Sequence, residues 1–143
     1  MIYAAPRKKL TRQGYSVQIK VTSKGGILMI RYQKDMVADV KVNLRGGSGS
    51  VAMTALFEEH IPHLRLLSEI TVEPGCSIGA HMHEAEAEVY YVLEGEATVL
   101  DGGVYKTLKP GDAHLCRSGE SHELKNDGAQ TMRILAIIPT MAE

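Results

Sequence analysis

The sequence predicts an all-β sandwich or barrel built as one domain of 143 residues. Three observations carry that expectation. Apolar residues alternate with polar ones in short runs, glycine-bearing turns punctuate those runs, and hardly any stretch repeats with the period of a helix. The 14 glycines and the single Phe agree with tight turns between short strands.

The elements follow in order. YSVQIKV at 15–21 alternates as a half-buried strand does, Gly25-Gly26 turns, and ILMIRY at 27–32 completes a short hairpin. RGGSGS at 45–50 is the most loop-like stretch and separates this N-terminal part from the rest. TALFEEHIPHLRLL at 54–67 is expected to begin as a short helix that Pro62 breaks. LRLLSEITV at 64–72 then puts Leu64, Leu66, Ile70 and Val72 on one face of a strand, and EPG at 73–75 turns. EVYYVLEGEATVL at 88–100 supplies two strands around Glu94-Gly95, and Asp101-Gly102-Gly103 turns again. YKTL, the turn Pro110-Gly111-Asp112, AHLCR, the loop SGES at 118–121, HELKN and a last apolar strand from Met132 to Ile138 finish the pattern. There is no internal repeat, so one barrel is expected and not two.

Charge is unevenly placed. Residues 1–28 hold Arg7, Lys8, Lys9, Arg12, Lys20 and Lys24 with no acid, so this segment carries +6 while residues 29–143 carry −7. An acidic body argues against a nucleic-acid partner, and the basic head reads as a solvated extension that balances it. Residues 1–28 are therefore read as a basic N-terminal extension and residues 29–143 as a single barrel domain. A strand-patterned extension is expected to cover a sheet edge of its own or of a second copy, which makes a homodimer the expected assembly. No apolar run of about 18 residues and no secretory pattern occurs, so no membrane contact and a cytoplasmic location are expected. Cys76 and Cys116 stand far apart and outside any C-x-x-C spacing, which indicates neither a disulfide framework nor a cysteine zinc site.

His81-Met82-His83 is the informative triplet. Residues two apart on a strand point the same way, so both imidazoles can reach one ion. Glu88 opens the next strand after a short bend, and His122 begins another. Three imidazoles and a carboxylate form a donor set that suits one divalent transition metal: manganese, iron, nickel, copper or zinc. Each histidine taken alone is more often a surface or satisfied core residue, but four ionisable groups inside a barrel are costly unless a cation satisfies them together.

The spacing resembles the two motifs of the cupin superfamily, G-x5-H-x-H-x3or4-E-x6-G and G-x5-P-x-G-x2-H-x3-N. The first is complete as Gly75, His81, His83, Glu88 and Gly95; the second runs Gly111, Arg117 in place of the proline, Gly119, His122 and Asn126. The resemblance covers roughly residues 64–138. It implies a cupin-type double-stranded β-helix, or jelly-roll, barrel with an N-terminal strand extension, and carries the family's metal ligands onto His81, His83, Glu88 and His122. It also implies chemistry on a small carboxylate- or phosphate-bearing metabolite, of decarboxylase, dioxygenase or isomerase type. The alternative from another class is a non-catalytic module that uses the metal to hold a small carboxylate or sugar.

The surrounding residues are less determined by pattern. Tyr90 shares the face of Glu88, either as a proton donor to substrate, the candidate catalytic residue, or as a core tyrosine. One of Arg65, Arg117 and Arg133 facing inward would recognise an anion through its guanidinium fork. Glu84 and Glu86 read as solvated residues of the bend, His60 and His63 as surface residues, and His114 as a structural or barrel-mouth residue rather than a ligand.

Overall fold

In the computed structural model, the described residues are 9–12, 15–21 and 27–141, with side chains from Ile30 onward. Arg7, Lys8 and Lys24 of the basic segment and the turn at Gly25-Gly26 lie outside them. Contacts divide the chain into Met1–Val37 and Ala38–Glu143. In the first unit β1 (Lys9–Arg12), β2 (Tyr15–Val21) and β3 (Ile27–Ile30) form an antiparallel sheet in that order. The expected pairing of 15–21 with the strand after it is present, and a 3-10 turn at Gln33–Asp35 follows. No helix among the described residues is long and apolar enough to cross a membrane.

The second unit is a jelly roll. It opens with β4 (Asp39–Val42), β5 (Ser50–Ala55), β6 (Leu64–Val72) and β7 (Ser77–Met82). It continues through β8 (Glu88–Glu94), β9 (Ala97–Asp101), β10 (Val104–Leu108), β11 (Ala113–Cys116), β12 (Ser121–Lys125) and β13 (Met132–Pro139). One sheet runs β10-β9-β12-β7 and the other β11-β8-β13-β6-β5-β4. The two-residue side-chain period decides which faces meet: in β13 Met132, Ile134, Ala136 and Ile138 are buried while their neighbours are only partly so. Ile70 and Val72 of β6, Tyr90 and Val92 of β8, Ala97 and Val99 of β9 and Leu124 of β12 supply the same inner layer.

Two expectations are corrected. Residues 54–67 form no helix, because β5 runs to Ala55 and is committed to β6 from Val51↔Val72 to Ala55↔Ser68. Leu56 N–H still donates to the Leu67 carbonyl (3.0 Å), and the chain turns at Pro62-His63, where His63 takes φ 61°. Pairing with a neighbouring strand overrides a weak local helical preference. The stretch 45–50 does not separate two parts either: it joins β4 to β5, which pair antiparallel at the end of the six-stranded sheet.

Motif positions outside the candidate site have structural explanations. Gly95 takes φ +73°, and a Cβ there would meet the Thr131 carbonyl oxygen at 2.6 Å. Asn126 is fully buried and satisfied: its amide donates to the carbonyls of Val72 (2.7 Å) and Gln130 (2.8 Å), and its oxygen accepts from Gly128 N–H (3.0 Å). Arg117, standing where the family prefers proline, uses the N–H a proline lacks to bond Glu120 Oε2 at 2.8 Å. That bond holds the turn in the proline's stead.

Both cysteines are free thiols. Cys116 is buried, and burial pushes its thiol up to about 11, followed by the negative charges of Glu120 and Glu88. At pH 8 the thiol therefore stays protonated. Iodoacetamide is expected to label Cys116 in the native protein more than about tenfold slower than in the denatured chain, a ratio that peptide mass spectrometry measures. Ile134, fully buried in β13 between β8 and β6, tests the core. Ile134→Ala should cost about 2–5 kcal/mol in denaturant unfolding, against less than about 0.5 kcal/mol for Val104→Ala on the exposed β10.

Candidate metal centre

The four candidate ligands come from both sheets. His81 lies on β7 and pairs in register with His122 on β12, both in the four-stranded sheet, while Glu88 opens β8 in the six-stranded one. His83 follows β7 and is held by backbone bonds to the loop before β12: Gly119 N–H donates to the His83 carbonyl (2.7 Å), and His83 N–H to the Glu120 carbonyl (3.2 Å).

Simple alternation does not by itself turn His81 inward. Ile78 is buried in the core, and an odd number of steps separates it from His81. The register supplies the answer: His122 pairs with His81 and Leu124 with Ile78, so two steps on β12 face three on β7. This bulge at Gly79–Ala80 reverses the phase of β7 and places Ile78, His81 and His83 on one side.

The inward atoms converge. His83 Nε2 lies 3.0 Å from Glu88 Oε2 and 3.1 Å from His122 Nε2; His122 Nε2 lies 3.0 Å from His81 Nε2 and 3.0 Å from Glu88 Oε2; His81 Nε2 lies 3.5 Å from Glu88 Oε2. All four donor atoms fall within 4.8 Å of one another. Two donors at right angles, each about 2.1 Å from a first-row ion, stand about 3.0 Å apart. The spacing of this set matches that edge.

Each imidazole is turned by its other nitrogen. His81 Nδ1–H donates to the Gly79 carbonyl (2.9 Å), and His83 Nδ1–H donates to Glu86 Oε1 (2.8 Å). His122 Nδ1 shares a proton with His114 Nε2 at 3.1 Å. Protons held on the outer nitrogens leave the Nε2 lone pairs facing one another and the Glu88 carboxylate. No buried side-chain polar atom among the described residues lacks a partner, but for these four atoms the partners include one another. A cation at their centre satisfies all of them at once.

Titration shifts follow the same packing. Burial pushes the Glu88 carboxyl up, but with no cation at the centre, protonated His122, His81 and His83 outweigh it through hydrogen bonds and charge and hold the group at about 2. Burial depresses His122, and burial followed by the His122 charge depresses His114. For His81 burial is opposed by Glu88 and the Gly79 carbonyl, which together leave it raised.

The neighbours correct and extend the reading from pattern. Glu86 is not merely solvated: besides His83, it accepts from Arg65 Nε (2.5 Å) and Nη2 (2.6 Å), which lower its carboxyl. Glu84, His60 and His63 are exposed, whereas His114 is buried behind His122. Arg133 bonds Glu69 and Glu94, and Arg117 sits near Glu120 on an exposed turn. Tyr90 is buried, its ring stacked on His122 at 4.9 Å between centroids and 10° between planes. Burial, then the Glu88 charge and hydrogen bond, raises its phenol well above the ordinary value, so it stays protonated. A cavity of about 170 Å³ adjoins the cluster, with Tyr90, Arg65, Met53, Ile78 and Ile138 in its wall. Its remaining cation is Arg45, which the sequence pattern leaves in a loop. The signal for it was the departure from alternation around Gly79, where the loop docks.

Comparisons with known proteins identify the family. Residues 68–138 match the family model described as "Cupin domain". The chain is 37% identical over 117 residues to an oxalate-binding protein of Thermotoga maritima, across 80% of this chain and 97% of that one. A crystal structure of a predicted oxalate decarboxylase from Thermotoga maritima superposes with a TM-score of 0.76 at 35% identity, over 79% of this chain and 100% of that one. The polyketide cyclase RemF of Streptomyces resistomycificus gives 0.66 at 30% identity, over 78% and 80%.

Proposed function

This chain belongs to the cupin family, and from that premise we propose that His81, His83, Glu88 and His122 hold one divalent transition metal beside which the cavity takes a small carboxylate of the oxalate class. The observation that carries the metal is the convergence of three Nε2 atoms and one carboxylate oxygen at 3.0–3.5 Å with the outer nitrogens occupied. The carboxylate follows from the likeness to an oxalate-binding protein and from the cavity, whose 170 Å³ is well below the roughly 300–1,000 Å³ of sites for drug-sized ligands. When bound, such an ion supplies positive charge and open coordination positions that polarise a carboxylate.

The chain's own residues do the rest. Met53, Ile78 and Ile138 give the cavity an apolar wall, beside which a polar contact is stronger than in open water. Arg65 clamps Glu86, and Glu86 fixes the His83 ring. Tyr90 supports an enzymatic reading. Losing carbon dioxide from a carboxylate leaves a carbon that must receive a proton, and Tyr90 is the wall residue beyond the ligands and arginines that carries one to give. Without that transfer the same site is a binding module.

Protein purified without nickel affinity should contain close to one equivalent of a transition metal by elemental analysis. His83→Ala or Glu88→Ala should lower that content while the fold persists, and Glu86→Gln should weaken metal affinity by about 10–100-fold. Because protons compete for Nε2, metal content measured by dialysis at stepwise lower pH should fall as the imidazoles take up protons. Calorimetry with oxalate on metal-loaded and metal-free protein tests the ligand: equal heats from both would sink the reading. Carbon dioxide release by the metal-loaded protein, reduced at least about 100-fold in Tyr90→Phe, decides for the enzyme; binding without release decides for the module.

A further inference from the structure

We propose that Arg45 is the specificity-determining residue of this site: it receives the second carboxylate of a short dicarboxylate whose first carboxylate lies at the metal centre. The inference rests on the ligand reading above and adds which residue recognises the far end and why that end must be anionic.

Two arginines line the cavity, and they are in different states. Arg65 has both Nε and Nη2 engaged by the Glu86 carboxylate, so its charge is neutralised and its fork is committed to holding His83. Among the described residues no hydrogen bond or ion pair engages the Arg45 guanidinium, and the side chain is exposed at the cavity rim. The cluster itself is buried. Leu44, Met53 and Ile78 line the same cavity, and with a cation held by the cluster a ligand in it would have a positive group on two sides. A guanidinium in that position matches a planar carboxylate through two parallel hydrogen bonds.

The loop is built to hold Arg45 there. Asn43 and Arg45 both take left-handed backbone angles, φ 49° and 55°, which is unusual for residues other than glycine. The strain is sustained by a docked turn. Gly46 N–H donates to the Asn43 carbonyl (3.0 Å), Gly47 N–H to the Leu44 carbonyl (2.9 Å) and Asn43 N–H to the Gly49 carbonyl (2.8 Å). The turn is fastened to β7 by Ser48 N–H to Ser77 Oγ (2.8 Å) and Ser77 N–H to the Ser48 carbonyl (2.9 Å).

Contact with the strand is closer than any side chain permits. A Cβ on Gly47 would lie 2.2 Å from the Ser77 oxygen, and one on Gly79 would lie 2.2 Å from the Arg45 oxygen. Gly79 therefore seats the Arg45 backbone on one side while its own carbonyl accepts from His81 Nδ1. The residue that holds the His81 ring also seats the Arg45 backbone, so both are referenced to one strand.

The test uses the full metal-loaded chain, with metal content and oxalate and acetate affinities measured for wild type, Arg45→Gln and Arg45→Lys. Oxalate affinity is expected to fall about 10–100-fold in Arg45→Gln, and less in Arg45→Lys, which keeps a charge without the fork. Acetate, with one carboxylate, should change less than about threefold, since the lost hydrogen bonds belong to the second carboxylate. If wild type binds oxalate and Arg45→Gln binds it equally well, the proposal fails while the ligand reading stands. Equal losses for acetate and oxalate would overturn it too, because Arg45 would then act only through its field. Should metal-loaded wild type bind no oxalate, the ligand reading itself is wrong and the inference goes with it. Loss of metal or of folding in both variants would make Arg45 a structural part of the turn, against the proposal.

Discussion

The interior of this barrel must accommodate three imidazoles and a carboxylate between two apolar sheets. His83, Glu88 and His122 are each no more than 3% exposed, so water cannot satisfy them. The cost is met by arrangement. Each of the three imidazoles has its outer nitrogen in a hydrogen bond and its inner nitrogen at one centre, where one cation would satisfy the set. Much of the surrounding architecture can be understood as what that centre requires: two strands of one sheet in register, a third from the opposite sheet, and a bulge that turns β7 the right way.

Around the centre stands a layer of residues that touch no common point themselves. Glu86 and Arg65 hold His83, Gly79 holds His81, and His114 holds His122. Tyr90 covers the face of the His122 ring. These partners limit the freedom of the rings before any ion arrives, which lowers the entropy lost on binding one. Other motif positions act further out. Asn126 ties Val72 to the loop before β13, and the Arg117–Glu120 bond shapes the turn that delivers His122.

The loop between β4 and β5 carries Arg45 at the cavity wall and ties it to this frame. Its backbone sits on Gly79 and Ser77, so a displacement of β7 moves the turn as well. Fold alone does not choose a ligand, since the barrel is shared with a polyketide cyclase at 30% identity. What distinguishes a site on such a scaffold is the wall beside the metal: its apolar surface, its phenol, and the charge left unpaired at its rim.

The amino-acid sequence by itself determined the strand class, the order of the barrel strands from Leu64 onward and the four residues of the centre, because a two-residue period and motif spacing are local properties of the chain. It did not determine the strand at 50–55 or its pairing with β6, which carries the chain to Ala55 where the stretch from residue 54 reads locally as the start of a helix. Nor did it determine the roles of Glu86 and Arg65, twenty-one residues apart, whose contact exists only once β6 lies near the bend after His83. The same holds for Arg45. Its turn looks like an ordinary glycine-rich loop, and only its docking on a bulged strand brings it to the cavity. Even the inward turn of His81 depended on that bulge, because one extra residue opposite β12 reverses every side chain beyond it, and that count is fixed by pairing between strands and not by either strand alone.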